Sequence, residues 1–165
     1  MPSDLPTLES KLLDRAALVE RFGRPRTGRL VFTNGCFDLL HPGHVTYLDQ
    51  ARRLGDLLVL GVNTDDSVRR QGKDDDRPLV TQEARLQVLA GLASVDALCL
   101  FDEDTPLELI TALRPDVLVK GGDYTIDTIV GAPEVQADGG EVRVIPFLPG
   151  YSTTALLQRI RTTKG

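Results

Sequence analysis

The apolar residues of this chain gather into short uninterrupted runs set between amphipathic stretches. Leu30-Val31-Phe32-Thr33, Leu57 to Val62, Ala97 to Phe101, Val117-Leu118-Val119-Lys120 and Glu141 to Ile145 each predict a strand. Leu57 to Val62 is continuous rather than alternating, as expected of a strand covered on both faces. Between them the spacing turns helical. A helix is predicted over about 8–22 with Leu12, Ala16 and Val19 inward, and another over about 43–54 with His44, Tyr47, Leu48 and Ala51 sharing a stripe. Further helices are predicted over 65–71, over 82–92 (Leu86, Leu89, Ala90 and Ala93 on one face), briefly between the last two strands, and over 153–162 (Leu156, Leu157 and Ile160 inward).

The punctuation supports this order. Gly23-Arg24-Pro25-Arg26-Thr27-Gly28 breaks the first helix. It resembles half of a phosphate loop, but Arg29-Leu30 stands where Lys and Ser/Thr are required, and it follows a helix, so it reads as a basic turn. Thr105-Pro106-Leu107-Glu108 has the makings of a capping box, and Arg114-Pro115 stops the helix it opens. Asp56, Asp96 and Asp116 each precede a strand. Five strands alternating with helices imply an α/β fold: one domain, a doubly wound five-stranded parallel sheet with helices on both faces. Residues 1–27 would be an N-terminal helix and turn packed on the domain formed by 28–165. Ligands of such sheets sit at the carboxyl ends of the strands, where strand order reverses.

Composition narrows the class. With 165 residues, 41% hydrophobic, there is enough chain for a proper core and too much apolar content for disorder. The two cysteines, Cys36 and Cys99, lack any CxxC spacing, no run is long enough to span a bilayer, and no secretory signal is visible. A cytoplasmic protein without a membrane partner is expected. The net charge of −5 argues against a nucleic-acid partner but not against a small anion held by a few local cations.

The chemistry concentrates after strand one, in Asn34-Gly35-Cys36-Phe37-Asp38-Leu39-Leu40-His41-Pro42-Gly43-His44, which holds both histidines of the chain. Pro42 suits a first helical turn, and Gly43 clears space for a close approach. Two imidazoles beside the free N–H groups of a helix N-terminus make a phosphate site able to donate to charge developing on phosphoryl oxygens. The plainer alternative is one capping and one core histidine. Zinc spacing is missing beyond Asp38, so no metal ligands are assigned, and no GxGxxG follows the strand.

Gly35-Cys36-Phe37-Asp38-x-x-His41-x-Gly43-His44 resembles the HxGH signature of the cytidylyltransferase-like nucleotidyltransferases. Arg77-Pro78-Leu79-Val80, Lys120-Gly121-Gly122-Asp123-Tyr124 and Gly150-Tyr151-Ser152-Thr153-Thr154 continue the resemblance, toward the heptose 1-phosphate adenylyltransferase branch. It implies a Rossmann-like nucleotidyltransferase that moves AMP from ATP to a sugar 1-phosphate and releases pyrophosphate. His41 and His44 would bind the triphosphate and its transition state. Cys36 and Phe37 would offer backbone groups to the nucleotide, and Lys73 with Arg77 would clamp the pyrophosphate. Ser152, Thr153 and Thr154 would seat the β- and γ-phosphates, and Asp123 would take a ribose hydroxyl. Lys120 would face the sugar phosphate, with Asp38 near it or the magnesium, or merely at the helix entry. Mg2+ is expected to arrive with ATP.

The loop before Arg77 departs from the family's Leu-Lys-Gly run and is one residue longer, so Lys73 is an equivalent by position only. Since the branch is usually half of a bifunctional kinase/adenylyltransferase, a separate heptose kinase is expected, and a homodimer is a family-level expectation. Two other classes stay open: a cytidylyltransferase of a small phosphorylated alcohol or an FMN adenylyltransferase, and a non-catalytic nucleotide-binding module.

Overall fold

A computed structural model describes residues 6–72 and 76–163. The elements follow in the order α1 (Arg15–Phe22), β1 (Leu30–Gly35), α2 (Pro42–Arg52), β2 (Leu57–Asn63), α3 (Asp65–Arg70), α4 (Gln82–Ala90), β3 (Ala97–Phe101), α5 (Leu107–Leu113), β4 (Val117–Gly121), α6 (Ala132–Ala137), β5 (Glu141–Ile145) and α7 (Thr153–Thr162). All strands are parallel, in the order β3-β2-β1-β4-β5. The order reverses between β1 and β4, and there the ladder is short. Only Val31 with Val117 and Phe32 with Leu118 are in register, against six pairs between β1 and β2. The carboxyl end of β1 is therefore laddered on one side only, which leaves a crevice toward β4.

Alternation within each strand divides the core into two layers. Leu30, Phe32, Val59, Leu118 and Val142 pack against Leu18 and Phe22 of α1, Leu109, Ile110 and Leu113 of α5, and Val135 of α6. Val31, Leu58, Leu60, Val117 and Val119 face Leu48 and Ala51 of α2 and Leu89 and Ala90 of α4. The sheet is covered on both faces, as its uninterrupted apolar runs require.

The three aspartates that precede strands share one geometry. The N–H of Asp56 donates to Arg29 O (2.7 Å) while Asp56 Oδ2 accepts from Arg29 N (2.6 Å). Asp96 forms the same reciprocal pair with Leu58, and Asp116 with Leu30. Each carboxylate thus satisfies the first unladdered N–H of a neighbouring strand. Asp116 also binds Arg24 and Arg26, and this is where the basic turn is used. Burial opposes its charge, but Leu30 N–H, Arg26 and Arg24 outweigh that and hold its carboxyl below the usual range.

Four local expectations are corrected. The first helix does not run from 8: Leu13 N bonds Leu98 O (2.9 Å), and Asp14 then caps a helix that buries Leu18 and Phe22, leaving Ala16 exposed. The capping box does not form. α5 begins at Leu107 with Pro106, which has no side-chain acceptor, at its N-cap, and Glu108 pairs with Arg15 (3.2 Å). α4 ends at Ala90, so Ala93 lies outside it and is exposed. Along α7 no residue is buried: Leu156 and Leu157 are half-buried, and Ile160 faces outward because the helix lies at the margin of the sheet layers.

Candidate active site

β1 delivers the chain into the crevice at Asn34-Gly35. Phe37 then adopts a left-handed φ of +51°, folding its buried ring back over Gly35, where a Cβ would come within 3.1 Å of it. The turn leads to His41 in extended backbone as the N-cap of α2. Its Nδ1 accepts from Gly43 N–H at 3.1 Å. An accepting Nδ1 carries no proton, so the neutral ring is protonated on Nε2, which can donate to a ligand. A side chain at position 43 would put Cβ 2.8 Å from His41 Cε1 and Nδ1, which explains the glycine.

His44 lies one turn on, its ring centroid 3.9 Å from that of His41 and 5.7 Å from that of Phe37. Its Nδ1 is buried and has no hydrogen-bond partner among the described residues. Burial first, and the charge of His41 second, push the His44 imidazole down to about 4; burial also lowers His41. Both rings are neutral donors at pH 7 in the ligand-free protein.

A second helix start meets the first. Ser152 Oγ accepts from Ala155 N–H (3.0 Å) and caps α7. Thr153 Oγ1 donates to Leu39 O (3.4 Å), and the Tyr151 ring stacks near His41 at 6.4 Å. Two N-termini, each with unpaired backbone donors and a positive dipole end, therefore open into one cleft of about 560 Å3. Lys120, at the end of β4, spans the crevice to Asn34 Oδ1 (3.3 Å) and lies 5.7 Å from the Tyr124 ring centre. Arg77 completes the basic lining. A broader groove at the end of β3, flanked by Arg15, Arg70 and Asp102 to Asp104, lies away from both histidines.

Cys36, Phe37, Asp38, His41, Gly43, His44, Arg77, Lys120, Ser152, Thr153 and Thr154 all line the cleft. Asp123 does not: it is exposed on the loop after β4. Lys73 lies outside the described residues. Asp38 is buried, and its oxygens accept from Leu79 N (2.9 and 3.0 Å) and Val80 N (2.9 Å), with Arg77 Nη1 at 3.8 Å. The Cys36 carbonyl is likewise engaged, by Arg85 Nη1 at 2.6 Å.

Sequence reasoning missed Arg85, whose side chain is fully buried and also holds Val80 O (3.1 Å) and Asp65 Oδ1 (2.8 Å). The available signal was an arginine on the apolar stripe of α4, four positions before Leu89. It also missed the aromatic wall of Tyr124, Phe147 and Tyr151. The Phe147 ring lies against Gly121 and Gly122, where added Cβ atoms would come within 3.0 and 2.7 Å. Tyr47 was expected inward; its hydroxyl bonds Thr33 Oγ1 (2.6 Å), and burial pushes it up to about 12 despite that bond.

The described residues contain no group of three or more His, Cys, Asp or Glu placed to hold a metal ion. No helix among them is long and apolar enough to cross a membrane.

The chain is 57% identical over 154 residues to the D-beta-D-heptose 1-phosphate adenylyltransferase of Bordetella bronchiseptica, covering 93% of this chain and 95% of that one. It is 52% identical over 157 residues to the bifunctional protein HldE of Koribacter versatilis, covering 94% of this chain but only 32% of the relative. The chain thus spans about a third of the length of such bifunctional relatives. Among solved structures, the lipopolysaccharide core biosynthesis protein of Thermoplasma volcanium is 28% identical with a TM-score of 0.59, over 73% of this chain and 97% of that one. The cytidylyltransferase-like family model matches residues 32–159, from the core of β1 into α7, and takes in both histidines and both helix N-termini: the chain belongs to the cytidylyltransferase-like family.

Proposed function

We propose that this protein transfers AMP from ATP to D-glycero-β-D-manno-heptose 1-phosphate, giving ADP-heptose and pyrophosphate. The observation that carries nucleotidyl transfer is the meeting of two helix N-termini, with two neutral histidines between them, in one cleft. The sugar and the nucleotide follow from the relative named for that reaction, which the chain matches over nearly its whole length. No feature of the cleft favours CTP or FMN chemistry over it.

A phosphate oxygen of the sugar 1-phosphate attacks the α-phosphorus. A new O–P bond forms as the bond from the α-phosphorus to the bridging oxygen breaks, and that oxygen leaves with pyrophosphate. Little covalent work falls to the protein; it must align two anions and neutralise charge. His41 donates from Nε2 and His44 stands beside it. The first-turn N–H groups at Ser152, Thr153 and Thr154 receive the β- and γ-phosphates. Arg77 covers the leaving group, with Lys73, four positions earlier in the sequence, as its partner. Lys120 meets the sugar phosphate, and Asp123, exposed on the loop after β4, is assigned a ribose hydroxyl.

Magnesium enters as part of the substrate, on the triphosphate. Asp38, the acidic residue of the histidine loop, has its oxygens engaged by backbone N–H groups, and the described residues offer no carboxylate cage. A cytoplasmic enzyme acting as a homodimer is the accompanying proposal.

Heptose 1-phosphate supplied with ATP or CTP, with pyrophosphate release followed, tests the reading. Turnover with ATP and little with CTP is expected, and His41→Ala should lose about 100-fold or more in kcat. Absence of turnover with ATP, or near-normal turnover by the variant, refutes the substrate and the histidine role respectively.

A further inference from the structure

We propose that Asp38 is a positioning residue, which with Arg85 sets Arg77 over the cleft and does not itself touch substrate. The inference rests on the reading of Arg77 as a ligand of the reacting phosphates. Residues 76–80 form no helix or strand, and none of them is buried; Leu79 is 44% exposed. Apolar packing therefore does not hold this segment in place. Two charged side chains with almost no solvent exposure do. Asp38, 2% exposed in its side chain, takes the N–H groups of Leu79 and Val80. Arg85, with no side-chain exposure, takes the carbonyl of the same Val80.

Both anchors lead back to the histidine loop. Asp38 belongs to it, and Arg85 Nη1 also binds the carbonyl of Cys36, while Nη2 is neutralised by Asp65 at the start of α3. Val80 is thus gripped through its N–H by an anion and through its C=O by a cation, each fixed to the turn that presents His41. Removing a carboxylate and a guanidinium from water is costly unless their bonds are met, and here they are met by this segment. Asp38 Oδ2 also lies 3.8 Å from Arg77 Nη1, so the carboxylate steers the guanidinium as well as the backbone that carries it. With both oxygens accepting from backbone, Asp38 has little capacity left for a sugar phosphate, whose charge would repel it.

The test is a double-mutant cycle on nucleotidyl transfer with Asp38→Asn, Arg77→Ala and the double variant, each also melted thermally. An amide at position 38 keeps one acceptor for the Leu79 and Val80 N–H groups but puts a donor where Oδ2 faced Leu79 N and Arg77, and loses the charge that pairs with Arg77. A loss of about 10- to 100-fold in kcat/KM is expected for each single variant, divided alike between kcat and KM. The double variant should be no worse than Arg77→Ala within about threefold, while the melting temperature still falls in both backgrounds. Losses that multiply would show Asp38 acting independently of Arg77 and overturn the proposal. A lowered melting temperature with unchanged kcat/KM would reduce Asp38 to a structural role and overturn it too. Wild-type turnover by Arg77→Ala would remove Arg77 from the reaction, and the proposal with it. Should Asp38→Asn not fold, Arg85→Lys replaces it in the same cycle, since a point charge cannot serve Val80 O, Cys36 O and Asp65 together. The wild-type enzyme alone tests which sugar and nucleotide are used, so failure there is separate from failure of the coupling.

Discussion

Replacing Asp116 by alanine removes the side-chain half of the reciprocal tie between β4 and β1 at the amino ends of the two strands, opposite the crevice. Three interactions go: the bond from Leu30 N (2.8 Å), the two-pronged contact with Arg26 (2.9 and 3.1 Å) and the contact with Arg24 (3.1 Å). Leu30 is fully buried, so its N–H is orphaned, at about 1–3 kcal/mol. Arg26 is 8% exposed and keeps carbonyl partners at Phe22, Leu113 and Arg114, so its loss is partial. Asp116 itself is 28% exposed, and water entering the gap offsets part of the sum. The net cost is about 3 kcal/mol, or a fall of about 6–12 °C in Tm for a domain of this size.

The same geometry at Asp96 and Asp56 supplies internal controls. Asp96 has a single arginine, Arg52, 33% exposed, and Asp56 is exposed and serves the exposed Arg29. Urea titration should therefore rank the alanine variants Asp116, Asp96, Asp56, with the last below about 1 kcal/mol. The Asp116 carboxyl lies below its ordinary value in the folded state, so its contribution is complete above the unfolded carboxylate range and is lost as pH falls through the folded value. Wild type and Asp116→Ala should converge as pH falls below the unfolded carboxylate range and through the folded value. Equal costs at the three positions, a cost at Asp116 below about 1 kcal/mol, or a difference that ignores pH would refute the reasoning.

Gly43→Ala should leave the melting temperature within a few degrees while lowering kcat about tenfold or more, since the new Cβ displaces the His41 ring rather than backbone; wild-type kcat would show that the ring's position is unimportant. His44 is neutral in the free protein, and a bound triphosphate raises its proton affinity, so nucleotide binding should take up protons at pH values just above about 4 and weaken as pH rises through that range. Calorimetry in two buffers of different ionisation heat measures the uptake, and a value of zero would place the phosphates away from His44.

The sequence by itself determined the five strands, their alternation with helices and the clustering of chemistry after β1. These are local properties: an apolar run covered on both faces, a proline and glycine that open a helix, two histidines one turn apart. Gly43 and the Ser152 cap were legible for the same reason, because each acts on atoms within three residues of itself. What required tertiary structure were partners remote in sequence. Glu108 could be read as a cap until Arg15, 93 residues away, claimed it. Leu12 fitted a helical stripe until β3 drew it into a bridge with Leu98. Asp38 looked like a ligand for cations or sugar phosphate, and Arg85 looked like nothing at all, because Asp38 meets Val80 42 residues downstream and Arg85 meets Cys36 49 residues upstream. A charge in a sequence shows what it can bind; only the packed chain decides which partner is near enough to bind first.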